Sequence, residues 1–122
     1  RNILVIITDG YLYHKDSQKW ENNRSPYLLS KTIEKNGLRK SNWEETFNDK
    51  DFGFITKRED LNKLDILILE INPIQGHKDD EDVIRAYFSK WFKEMKVNKS
   101  EIYNTDLPEY TKAKIDKFIK NG

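Results

Sequence analysis

The chain is 122 residues long and carries 22 Lys and Arg against 21 Asp and Glu, a formal net charge of +1; that is length for one domain, with no global basic field of the kind nucleic-acid binding uses. It contains no cysteine, which excludes a disulfide scaffold, a Cys-ligated zinc or iron–sulfur site and a thiol nucleophile. Charged residues make up 35% and hydrophobic residues 36%, so the core must be small and concentrated in the 12% aromatics, whose rings each bury about 150–250 Å².

No apolar run approaches the roughly 20 residues that span a bilayer, and the N-terminus lacks the charged, apolar and small-residue order of a signal peptide. Membrane insertion is not expected, and the compartment stays open. Arg1 is followed at once by a buried-type strand, which suggests a piece cropped from a longer protein.

In chain order, residues 2–8 read N-I-L-V-I-I-T and end at Asp9-Gly10. A continuous apolar, β-branched run of this kind fits a strand covered on both faces in a parallel sheet. Ser25-Pro26 offers an N-cap and a first-turn proline, Asn36-Gly37 a stop, and Leu28, Leu29, Thr32 and Ile33 one helical face between them. Residues 38–63 are less regular and read as a packed loop with a short extended piece at 53–56. Residues 64–71, L-D-I-L-I-L-E-I, repeat the character of the first strand, and the two are expected to be neighbouring parallel strands at the sheet centre. Val83, Ile84, Tyr87, Phe88, Trp91, Phe92 and Met95 form a broad apolar stripe on a helix over 80–95, with acidic residues 79–82 at its positive end. A short strand at 101–104 and a helix opened by Asp106-Leu107-Pro108, with Thr111, Ile115, Phe118 and Ile119 on one face, complete the chain. The order is that of a single α/β domain over residues 1–122: three layers, a mostly parallel sheet with helices on both faces.

Ligands of open α/β sheets gather at the carboxyl ends of the strands, which gives Asp9 two readings. It is the Asx residue of a turn completed by Gly10, or an oxygen ligand for a hard cation. His14 and Asp16 follow in the same loop without diagnostic spacing, and the intervening Lys15 suits a solvated surface. His77, in the loop after the second strand, is placed at the same edge. The acidic run 79–82 lacks the spacing of a calcium loop and suits a helix start. Tyr11, Tyr13, Trp20 and Tyr27 flank the Asp9 loop and suit a cover for the sheet top or a protein contact surface. There is no G-x-S-x-G elbow, no glycine-rich phosphate cradle and no H-E-x-x-H.

The stretch I-L-V-I-I-T-D-G, Ile3 to Gly10, resembles the central strand and T-D-G turn of von Willebrand factor type A domains. The remainder of the chain resembles the later half of such a domain: a crossover, a second apolar strand, an amphipathic helix, a short last strand and a C-terminal helix. The resemblance implies a doubly wound, Rossmann-like fold and a non-catalytic, adhesion-type module that binds a protein partner at the carboxyl edge, here Asp9, Gly10, Tyr11, His14, Asn72 and His77. It also implies a metal-ion-dependent adhesion site in which Asp9 matches the family's aspartate in that turn. The family's D-x-S-x-S motif, which supplies the principal ligands, is nowhere in the sequence. Either the sequence begins inside the domain or the site is degenerate, and magnesium or another divalent cation would need ligands from upstream. The type A topology sets the strand from Ile3 to Thr8 beside a first strand that this sequence lacks, so its edge is expected to pair with a partner or a second copy. A fainter resemblance, of strand, Asp-Gly and S-P-Y-L-L, is to the opening of alkaline-phosphatase-like metal-dependent hydrolases.

Overall fold

A computed structural model describes residues 2–12 and 19–121. The elements in chain order are β1 (Asn2–Ile7), β2 (Arg24–Ser25), α1 (Ser30–Lys35), α2 (Trp43–Asp49), β3 (Gly53–Phe54), β4 (Leu64–Ile71), α3 (Asp80–Glu94), β5 (Lys99–Asn104) and α4 (Pro108–Lys120). Strands β1, β4 and β5 form a parallel sheet in the order β1-β4-β5, and β2 and β3 form a separate parallel pair. The fold is a small α/β one, and the two long apolar runs are parallel neighbours in the register Ile3 to Asp65 through Ile7 to Leu69.

Strand β4 is central because its side chains are apolar on both faces, leaving no side for water. Ile66, Ile68 and Ile71 join a large cluster with Val83, Ile84, Tyr87, Phe88 and Phe92 of α3, Ile33 of α1, and Phe47 and Phe54. Leu67 and Leu69 join a smaller cluster with Phe118 of α4, against which Ile3, Tyr103 and Ile115 pack. Strict alternation would put Glu70 on the Ile66 side. A register shift between Ile68 and Ile71, with Glu70 at φ 73°, substitutes Ile71 and keeps the charge out. Asp65, buried within the strand, accepts from Asn98 Nδ2 at 2.8 Å.

Several expectations need correction. β1 is not central: it stands at an edge, with Leu4, Val5 and Ile7 exposed. Apolar continuity reports what a strand avoids, not which neighbours it has. The first helix begins at Ser30, not after Ser25-Pro26. Ser25 lies in β2, and its hydroxyl donates to the Tyr27 carbonyl at 2.6 Å instead of capping a helix; a residue before proline favours extended backbone. The segment 38–63 is not a loop throughout, since it contains α2, although the extended piece appears as β3. Ile119, assigned to the inner face of α4, is half exposed. The helix over α3 and the proline start of α4 are as expected.

Candidate functional site

The loops that leave β1 and β4 are joined by backbone at the carboxyl edge of the sheet. Thr8 N–H donates to the Leu69 carbonyl at 3.2 Å, and Asn72 N–H donates to the Asp9 carbonyl at 2.9 Å. Asp9 Oδ1 accepts the Tyr11 N–H at 3.0 Å, an Asx turn, and Gly10 N–H donates to Thr8 Oγ1 at 3.1 Å. Gly10 is buried at φ 109°, and a Cβ there would lie 2.9 Å from Ile84 Cγ2 and 3.3 Å from Ile71 Cδ1. Only glycine lets the turn lie this close to α3.

Tyr11 and Asp80 organise the space above the turn. The Tyr11 hydroxyl donates to Asp80 Oδ2 at 3.0 Å and accepts the Ile74 N–H at 3.0 Å. Arg39 grips the same carboxylate with two prongs, Nε to Oδ1 at 3.1 Å and Nη2 to Oδ2 at 3.0 Å, while Nη2 also meets Ser30 Oγ. Burial, with the Asp80 carboxylate alongside, pushes the Tyr11 phenol above its ordinary range. The hydrogen bonds that Arg39 donates to Asp80 hold the guanidinium proton more tightly than usual in turn. Asp80 is therefore more than a dipole-complementing acid: it is buried, starts α3, and is bound by a side chain from the loop after α1.

A cleft of about 420 Å³ opens beside this group, lined by residues that include Leu38, Arg39, Trp43, His77 and Asp80. His77 and Asn72 stand exposed on the 72–79 loop. The structure thus brings together Asp9, Gly10, Tyr11, Asn72 and His77 at one edge, while His14, and with it Asp16 and Tyr13, lies outside the described residues. Trp20 and Tyr27 meet edge to face at 5.9 Å, with Trp20 Nε1 donating to the Tyr27 hydroxyl at 3.0 Å. Arg39 and Asp80 carry a deeply placed charge pair among the described residues of the site, and neither residue's local sequence marks the other as its partner.

The oxygens available do not fit a metal ion by themselves. Asp9 spends one oxygen on its turn, both oxygens of Asp80 are taken, and among the described residues no group of three or more His, Asp or Glu side chains is placed to hold a cation. A second, larger cleft of about 1060 Å³ lies at the other end of α3, around Arg24, Phe47, Arg58, Lys90 and Glu94. There Arg24 binds Glu94 through two contacts of 2.6 and 2.8 Å, reaches Asp51 at 2.8 Å, and donates to the Phe54 carbonyl at 3.1 Å. Its role is to rivet β2, β3 and α3 together.

No protein-family model, curated protein or solved structure matches the chain. Among the described residues, no helix is long and apolar enough to cross a membrane.

Proposed function

We propose that the chain is a non-catalytic protein-interaction module resembling the later half of a von Willebrand factor type A domain, and that it meets its partner with the loops at residues 9–11 and 72–79. The observation that carries this reading is the parallel pairing of β1 with β4 together with the Asn72 to Asp9 hydrogen bond. These set the T-D-G turn and the following loop side by side at the carboxyl edge, the place where open α/β sheets bind ligands. The order β1-β4-β5, all parallel, supports the type A topology. A three-layer arrangement is supported by the split of β4 side chains between the α3 and α4 clusters. In this reading the Asp9 turn is a degenerate or incomplete metal-ion-dependent adhesion site: the described residues do not by themselves supply a ligand set, and magnesium or another divalent cation would need ligands from upstream.

The test is site-specific photocrosslinking in cells. A crosslinking side chain placed at exposed Asn72 or His77 should capture one polypeptide that is not captured from exposed Lys63, at the opposite end of β4. Equal capture from both ends, or none, would remove the reading. Hydrolysis of a phosphate ester or carboxylic ester that is abolished by Asp9→Asn with the fold intact would favour the hydrolase resemblance instead. The family assignment has a separate check: D-x-S-x-S in any encoded sequence preceding Arg1 would support it.

A further inference from the structure

Three of the seven large apolar side chains exposed among the described residues sit on the six-residue strand β1: Leu4 at 44%, Val5 at 37% and Ile7 at 72%. The strand is hydrogen-bonded to β4 on one side, and among the described residues no strand lies on the other. Edge strands of monomers are ordinarily guarded by charge, proline or a bulge. Within a chain that is 35% charged, Asn2–Ile7 has no charged residue and no proline. We infer that this edge docks a second copy of the chain, β1 against β1, antiparallel about a two-fold axis normal to the sheet.

The choice of a second copy comes from register. Such an axis keeps each sheet face on its own side, so residues paired across it must share a face, and faces alternate along a strand. Ile3, Val5 and Ile7 share the face of Leu67 and Leu69, and Leu4 and Ile6 share the other. Centred on Val5, the pairing sets Val5 against Val5 and Ile3 against Ile7 on one face, and Leu4 against Ile6 on the other. Every pair is apolar and nearly every member β-branched, the combination that cross-strand packing favours. The product is a continuous six-stranded sheet in the order β5-β4-β1-β1-β4-β5. This inference does not rest on the type A reading, in which a strand of the same domain would take the edge.

The experiment is solution mass by light scattering across a dilution series, on the unmodified chain and on charge variants. The chain should be dimeric, Val5→Lys and Val5→Glu should each be monomeric with unchanged circular dichroism, and their equimolar mixture should recover the dimer. Ile7→Lys, at a side chain that is already mostly exposed, tests the seam without touching the core and should also give a monomer. Because the chain has no cysteine, Val5→Cys should crosslink to itself on oxidation while Ser41→Cys, on an exposed turn, should not. A monomer at every concentration would overturn the inference and leave the functional reading standing. A dimer whose mass ignores Val5→Lys and Ile7→Lys would overturn it too, by placing the interface elsewhere.

Discussion

The Tyr11 hydroxyl donates to Asp80 Oδ2 at 3.0 Å and binds the loop after β1 to the first turn of α3 across 69 residues of sequence. The same oxygen accepts the Ile74 N–H, so one phenol fixes the positions of both loops at the carboxyl edge. Tyr11→Phe should cost about 1 kcal/mol, since Arg39 still satisfies Asp80 and the Ile74 N–H is open to water. Asp80→Ala should cost more, about 2–3 kcal/mol, because it removes the two-pronged partner of Arg39, whose side chain is 19% exposed and keeps only Ser30 and Glu34 at 3.6 Å. Urea denaturation of the two variants checks the order, and equal losses would show that Arg39 is not held by Asp80.

The two glycines at helix and strand ends should respond differently to the same substitution. Gly10→Ala meets both a disallowed φ and contact with Ile84 at 2.9 Å, and should lose about 2–4 kcal/mol. Gly37 has φ 73° with nothing within 4 Å of an added Cβ, so Gly37→Ala should lose only about 1 kcal/mol of left-handed strain. Thermal midpoints of the pair are a direct comparison.

Acid should release the rivet at Arg24. Hydrogen bonds from Arg24 and Lys90 bring the Asp51 carboxyl down to about 2, and Arg24 lowers Glu94 from its usual range. Both carboxyls hold protons less tightly in the folded state, so their stabilisation is present above the unfolded value near 4 and is lost as pH falls toward about 2. Most of the effect belongs to Glu94, the less exposed of the two. Arg24→Met should cost about 1–3 kcal/mol at neutral pH and flatten the dependence of stability on pH between those limits. A stability curve of unchanged slope would count against the rivet.

At the alkaline end the sign reverses. Tyr87 is fully buried between Phe47 and Phe54, with ring centroids at 5.3 and 5.2 Å, and burial pushes its phenol up to about 12. The folded state holds this proton more tightly than the unfolded one. Its stabilisation is complete below about pH 10 and disappears as pH rises toward about 12. Titration of tyrosinate absorbance should show one tyrosine ionising together with the loss of circular dichroism, and Tyr87→Phe should move that loss to higher pH.

The features legible in the sequence were those that repeat over several turns or alternate over several residues. The α3 stripe from Val83 to Phe92 and the two runs that became β1 and β4 had enough residues to declare their period. Helix α2 did not, because in seven residues only Trp43 and Phe47 mark its buried side. Ser25-Pro26 misled because its chemistry suits either a helix start or an extended step, and the bridge between Leu12 and Leu28 selects the latter. At the site, the Asp9-Gly10 turn was legible from its two residue types. The Arg39–Asp80 pair was not, since a partner 41 residues away leaves no local mark and Asp80 sits where any helix carries acids.

An all-parallel sheet also dictates an order of assembly. No ladder in β1-β4-β5 joins neighbouring segments of chain: β4 reaches β5 by closing a loop of about 35 residues, whereas β1 reaches β4 only by closing one of about 60. The shorter loop contains α3, whose aromatic face rewards the closure as soon as it forms. The β4-α3-β5 unit is thus the natural nucleus, and β1 docks afterwards along one edge. In a single copy the strand that arrives last, held on one side, is also the first to leave, so in the monomeric Ile7→Lys variant amide protons of β1 should exchange ahead of those of β4 while the rest of the sheet stays closed.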